Sequence, residues 1–192
     1  MTTGLLDDAV VAFTDAWDTS ADPHLHVTGP HRTGRTQGLI RLLLSWQQHG
    51  GVVLWLDPHT TDASGLDQAF LIVADAINIL HARARNREDE PDATFPPVLV
   101  ILDDYDRILR LAEDATQLEQ LRRNVRQLIH EGARDGVHLA LATSTRNPVI
   151  EDEIARELST VVLGDTASPG GHLCAGMGTF TDRTTRVQRI RF

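Results

Sequence analysis

Gly29-Pro30-His31-Arg32-Thr33-Gly34-Arg35-Thr36 matches the phosphate-binding pattern G-x-x-x-x-G-K-[ST] at every specified position but one: arginine stands at 35 where the pattern has lysine. The flanks suit the pattern. His24-Leu25-His26-Val27-Thr28 is a short β-prone run, and Gln37 to Gln48 reads as a helix. A strand, a glycine-bearing turn and a helix form the geometry in which backbone N–H groups wrap a phosphate chain. The helix N-terminus adds its partial positive charge. In that frame the residues expected around a nucleotide are Gly29, Pro30, His31, Arg32, Thr33, Gly34, Arg35, Thr36 and Gln37. Thr36 is expected to offer its hydroxyl to Mg²⁺, and residue 35 to meet the β- and γ-phosphates.

Composition narrows the class. A chain of 192 residues supports one sizeable core and is short for two. With 41% hydrophobic and 23% charged residues it reads as an ordinary globular domain. No apolar run approaches the ~18 residues of a membrane span. The early acids Asp7 and Asp8, with no basic lead, do not read as a secretory signal. Cys174 is the only cysteine, so no internal disulfide forms, which suits a reducing cytoplasm. The net charge of −9 argues against a basic surface that coats nucleic acid, while leaving room for a narrow DNA-facing loop inside a ring. All 18 basic residues are arginine, so Arg35 fits a general drift away from lysine. Even so, the exchange is not conservative in a tight phosphate cradle.

The rest of the chain alternates strands with helices. Leu6, Val10, Phe13 and Trp17 mark one face of a helix over 5–17, and Thr19 to Pro23 form a polar break. After the glycine pair Gly50-Gly51, Val52 to Leu56 is a continuous apolar run, as expected of a strand covered on both faces. Pro58 to Gly65 reads as a loop. Leu66, Phe70, Val73, Ile77 and Leu80 mark a long helix ending near Asn86, and the proline-bearing stretch from Arg87 to Pro97 reads as an exposed connection. Val98 to Leu102 is the most apolar strand. Leu118, Leu121, Val125 and Leu128 make a further helix, stopped by Gly132 and Gly136. His138 to Thr143 and Thr160 to Leu163 read as strands, with a short helix over Ile150 to Leu158 between them. Gly164 to Gly178 reads as a loop and Thr184 to Phe192 as a terminal strand. Each crossover is long enough for a helix, which specifies a mostly parallel α/β three-layer sandwich. The expected division is an N-terminal helical segment over 1–22 and one domain over 23–192.

Two further signals bear on chemistry. Asp103-Asp104 closes the apolar strand, as a Walker B site requires: the first carboxylate holds Mg²⁺ beside Thr36, and the second acts on the attacking water as a general base. The alternative is a pair of acids that merely begins a surface loop with Asp106. Thr143-Ser144 ends the fourth strand. Thr143 would contact the γ-phosphate if that strand lies beside the loop; otherwise it is one of two turn formers that end a strand.

These residues resemble a family. His24 to Gly29 is similar to the lead P-H-L-L-V-A-G, Val98 to Asp106 (V-L-V-I-L-D-D-Y-D) looks like its Walker B strand, and Ala133 to Thr143 looks like its G-I-H-L-V-L-A-T segment. The family is the FtsK/SpoIIIE branch of RecA-like P-loop ATPases, which includes DNA translocases of chromosomes and conjugative plasmids and the type VII secretion ATPase EccC. The resemblance covers Pro23 to Phe192. It implies a RecA-like P-loop fold whose fourth strand lies between the loop strand and the Walker B strand, which brings Thr143 to the γ-phosphate. It implies ATP and Mg²⁺ as ligands, and a homo- or hetero-oligomeric ring with an arginine supplied by a neighbour, for which Arg146 is a candidate. Double-stranded DNA or a secreted protein would be the substrate moved.

Departures from the family pattern fall on hydrolysis. Arg35 replaces lysine, Asp104 is shorter than the glutamate often found there, and Ser144 stands where translocating members carry glutamine. The membrane-anchoring and DNA-orienting modules of the translocases have no counterpart in the sequence. The first functional reading is an ATPase coupled to movement of DNA or protein; the second is a degenerate ATP-binding module that docks a partner with little or no hydrolysis. A small-molecule kinase lacks an identifiable acceptor pocket or lid. The nine histidines show no H-x-x-x-H spacing, which argues against a further metal site. His24 and His26 read as packing or edge residues, and the arginines at 183, 186, 189 and 191 as a solvated strand face or a partner contact.

Overall fold

The apolar runs singled out above become neighbouring strands of one sheet. The structure, a computed structural model, describes residues 11–30, 32–56, 64–144, 150, 152–164 and 177–191. Along the chain run β1 (Val11–Ala12), α1 (Phe13–Ala16), β2 (His24–Thr28), α2 (Arg35–Gln48), β3 (Val52–Leu56), α3 (Ser64–Asp89), β4 (Val98–Leu102), α4 (Tyr105–Leu111), α5 (Ala115–Glu131), β5 (Val137–Thr143), α6 (Asp152–Glu157), β6 (Ser159–Leu163), β7 (Met177–Thr181) and β8 (Val187–Arg191). The eight strands are ordered β1-β8-β7-β6-β2-β5-β4-β3. From β3 to β6 every neighbouring pair is parallel, whereas β6, β7 and β8 form an antiparallel meander. β5 therefore lies between the loop strand β2 and the acid-bearing strand β4.

Period-two alternation divides the strand residues between two cores. Leu56, Val98, Val100, Leu102, Leu139 and Leu141 face α3, α4, α5 and α6. Leu25, Val27, Leu99, Ile101, Ala140, Ala142, Val161 and Leu163 face α1 and α2. All of β4 and β5 is buried, whereas β3, expected from its apolar run to be covered on both faces, is the edge strand, with Val52 exposed and only Leu56 buried. The result is the RecA-like three-layer sandwich expected from the sequence. Among the described residues, no helix is long and apolar enough to cross a membrane.

Several elements differ from the expectation. Within the helix expected over 5–17, Val11–Ala12 is a strand paired parallel with β8, and only Phe13–Ala16 is helical; Leu6 and Val10 lie outside the described residues. Backbone pairing with an available sheet edge overrides the 3.6-residue periodicity there. Phe13 and Trp17 are buried nonetheless, Phe13 stacked on Trp17 and Trp17 on Trp46. The stretch assigned to a loop up to Gly178 contains the start of β7, and α4 follows directly on the acid pair. The expected exposed connection from Arg87 is shortened by α3, which runs on to Asp89. Arg83 on that helix donates to the carbonyls of Asp135 (2.7 Å) and Pro96 (2.6 Å), fixing α3 against the segments that enter β4 and β5.

Candidate functional site

The site gathers where three strands end. β2 runs into the loop at Gly29, β4 ends at Asp103-Asp104, and β5 ends at Thr143, which lies opposite Thr28 in register. The loop closes on itself through Thr33, whose hydroxyl donates to the Pro30 carbonyl at 2.8 Å. Gly34 has φ 92°, a left-handed conformation that glycine adopts without steric cost, and it caps α2. A Cβ on Gly29 would lie 2.8 Å from the Leu163 carbonyl and 2.9 Å from Thr33 Oγ1, so the loop's close approach to β6 requires glycine. Helix α2 starts two residues earlier than the expected Gln37. Arg35 and Thr36 thus stand in its first turn, where N–H groups lack partners within the helix. Pro30, Arg32 and Gln37 are exposed, and His31 lies outside the described residues.

The acid pair meets the loop directly. Thr36 Oγ1 donates to Asp103 Oδ2 at 2.7 Å, and the Asp104 amide donates to Asp103 Oδ1 at 2.9 Å. Asp103 is wholly buried. Burial pushes its carboxyl above the ordinary 3.8, and neighbouring Asp104 adds to the shift, against the opposing pull of the Thr36 hydroxyl and Arg35. Arg35 Nη2 reaches Asp104 Oδ1 at 2.9 Å, with the arginine 7% exposed and the acid 22%. Its Nη1 is buried without a hydrogen-bond partner among the described residues. Asp104 has φ 53° and ψ 40° and turns the chain from β4 into α4. Aspartate tolerates that left-handed region better than most residues, since its short side chain bonds locally.

These features fit a magnesium–nucleotide ligand. A buried carboxylate beside a threonine hydroxyl suits a divalent cation with oxygen ligands. A buried guanidinium nitrogen with no partner, next to a loop that leaves no room for a Cβ at Gly29, suits phosphate oxygens.

The end of β5 is fastened from two sides. Thr143 Oγ1 lies 2.9 Å from His26 Nε2 and 3.3 Å from Thr28 Oγ1. Ser144 donates both its amide and its hydroxyl to Asp106, the amide at 3.1 Å. Asp106 is 2% exposed and also receives Arg110 Nη2 at 3.2 Å. Burial works against its charge, but the two Ser144 bonds and Arg110 outweigh it and hold the carboxyl below its ordinary value. Ser144 is thus engaged with α4. The sequence alone does not reveal this fastening, because Asp106 reads there as part of a loop and His26 as a packing or edge residue. β2 is a central strand, so neither His24 nor His26 is at an edge. The arginines at 183, 186, 189 and 191 are exposed, and Arg146 lies outside the described residues. Among the described residues no cluster of His, Cys, Asp and Glu has the makings of a further metal site.

No family model and no curated protein matches the sequence. Solved structures do match the fold. The conjugation coupling protein TcpA of pCW3, in a monomer form with ATPγS, superposes with a TM-score of 0.72 at 13% identity over 91% of this chain and 61% of its own. EccC of Thermomonospora curvata (ATPases 2 and 3, with a signal sequence peptide) gives 0.61 at 20% identity over 91% of this chain and 37% of its own. The genome packaging NTPase B204 of Sulfolobus turreted icosahedral virus 2, with AMPPCP, gives 0.54 at 10% identity, covering 88% of this chain and 97% of that one. This chain therefore spans less than two thirds of the coupling protein and of EccC. It shares with these proteins the RecA-like P-loop fold that its sequence resembles.

Proposed function

We propose that the chain is an ATP-binding domain of the FtsK/SpoIIIE type that serves as the ATPase of a motor moving DNA or a secreted protein. The observation that carries this reading is the 2.7 Å bond between Thr36 and Asp103, which joins the first turn of α2 to the end of β4 beside the glycine loop. The meeting of two residues 67 positions apart supports a shared role in holding a nucleotide-bound Mg²⁺.

In this reading the backbone N–H groups from Gly29 to Thr36, Pro30 excepted, bind the phosphates, and the N-terminus of α2 adds its dipole. Thr36 and Asp103 would hold Mg²⁺, which when bound neutralises charge on the β- and γ-oxygens. Asp104 takes the proton of the attacking water, and Thr143, fixed by His26 and Thr28, orients the γ-phosphate side of the site. The structural relatives suggest two substrates, since one is a conjugation coupling protein and another was solved with a signal sequence peptide. A ring of copies, or of this chain with a partner, would supply an arginine from the neighbouring subunit.

The ion pair between Arg35 and Asp104 favours the second reading, a binding module that hydrolyses slowly, because it occupies the candidate base. Calorimetric titration with ATP and Mg²⁺, beside turnover with and without double-stranded DNA, separates the two. Binding with DNA-stimulated turnover supports the motor, and binding with negligible turnover supports the module. Absence of both heat and thermal shift at ~5 mM ATP, above the usual range of KM values, overturns nucleotide binding itself.

A further inference from the structure

Lysine and arginine both bring a positive charge to a phosphate loop, but only arginine brings two arms in one plane. The guanidinium carries five N–H donors in a fixed fork. In Arg35 one arm is used and the other is not: Nη2 donates to Asp104 Oδ1 at 2.9 Å, while Nη1 is buried with no partner among the described residues. A buried donor left unmade is costly, more so when it is charged, so the arrangement awaits an acceptor.

The geometry points to Arg35 as a two-armed bridge, in which Nη1 takes a phosphate oxygen of the bound nucleotide while Nη2 keeps hold of Asp104. This rests on the nucleotide-binding reading above and adds a role for the residue that departs from the motif. Asp104 is suited to being held. Its backbone is fixed in the left-handed region by the turn into α4, and its amide is tied to Asp103 Oδ1. Asp103 is occupied by Thr36. No rearrangement of the acid pair is required for a phosphate to satisfy Nη1. Arg35 then binds the ligand and positions Asp104 at once, and the candidate base stays neutralised in the bound state. The consequence is a site that retains nucleotide and turns it over slowly. A lysine ammonium, a point charge on a flexible stem, does not impose the same fixed double geometry.

The test is nitrogen-15 NMR of the Arg35 guanidinium in the full chain, titrated with AMPPCP and Mg²⁺, with calorimetry on the same samples. The Asp104→Asn variant assigns the Nη2 signal, and Arg35→Lys identifies the whole set by its loss. The expected result is a shift of the Nη1 resonance on AMPPCP addition, with the Nη2 resonance staying at its wild-type position. If Nη2 moves to the position seen in Asp104→Asn, the acid is released on binding and the bridge is overturned. Heat of binding without any Nη1 shift overturns the bridge but leaves nucleotide binding standing. Absence of heat removes both. Should Asp104→Asn fail to fold, wild type decides through coupling across the hydrogen bond to the nucleotide phosphorus: a coupled terminal nitrogen whose partner stays unmoved is the bridge, and no coupling, or movement of both, overturns it.

Discussion

At the scale of single residues, the departures from the phosphate-loop pattern and the acid pair explain one another. Arginine at 35 meets aspartate at 104, and aspartate rather than a longer acid suits a backbone at φ 53°. In a P-loop the charged residue must follow charge as it shifts toward the transition state, and only interactions stronger there than in the ground state accelerate the step. A guanidinium shared between ground-state phosphate and Asp104 does neither well. Arg35→Lys is therefore expected to raise ATP turnover at least ~10-fold, about 1.4 kcal/mol off the barrier, with a dissociation constant altered by no more than about threefold. Asp104→Asn in that background should abolish the gain. Steady-state turnover beside calorimetry checks both; flat turnover in Arg35→Lys, with Asp103 and Asp104 dispensable, would leave a pure binding module. Gly29→Ala tests the cradle from the backbone side. Its Cβ would meet the Leu163 carbonyl at 2.8 Å, so a stability loss of roughly 1–3 kcal/mol in chemical denaturation and loss of AMPPCP binding are expected.

At the scale of elements, the site depends on how α4 and β5 are joined. Asp106 accepts from the Ser144 amide, the Ser144 hydroxyl and Arg110 while 2% exposed. Asp106→Ala strands two Ser144 donors, each worth about 1–3 kcal/mol when fully buried; because both are only part-buried, a loss of ~2–4 kcal/mol is expected from urea denaturation. A loss under about 1 kcal/mol would mean that Ser144 finds other partners. The clasp also shows what the sequence could carry. Strands β2 to β6 and the long helices were legible because apolar runs and 3.6-residue periodicity are local signals. β7 was not, since Met177-Gly178-Thr179-Phe180-Thr181 has only two inward positions, one of them glycine. β1 was decided by an edge at the far end of the chain, at Ile190 and Arg191. In the candidate site, the loop and the acid pair were legible as motifs, whereas the Arg35–Asp104 pairing and the Asp106 clasp depend on contacts that strand order alone creates.

At the scale of the whole molecule, the sheet buries the imidazoles of His24 and His138 and half-buries that of His26, and acid should find them. His24 is pushed down to about 3 and His26 to about 4, both chiefly by burial, and His138 is lowered by the same cause. The groups facing them bear on the sign. His138 and Arg183 push His24 further down, whereas Asp106 pulls His26 back up without reversing the shift. Each imidazole binds its proton less tightly in the folded chain than at the ordinary 6.5 of the unfolded one. Between those values the unfolded state binds more protons, so stability rises with pH there and falls as pH drops below about 6.5. Asp106, held below 3.8, adds a further loss under that value. Asp103 acts oppositely: its raised carboxyl takes up a proton earlier in the folded state, and acid favours it. Three imidazoles against one carboxyl leave the histidines dominant, and a tenfold difference in proton affinity between the folded and unfolded chain is about 1.4 kcal/mol. A loss on the order of several kcal/mol is therefore expected between about pH 7 and pH 4.5, read as the urea midpoint at each pH. His24→Gln with His26→Gln should flatten the slope even if it lowers stability at neutral pH. A wild-type midpoint constant over that range would show that the buried rings take up protons in the folded chain as readily as in the unfolded one.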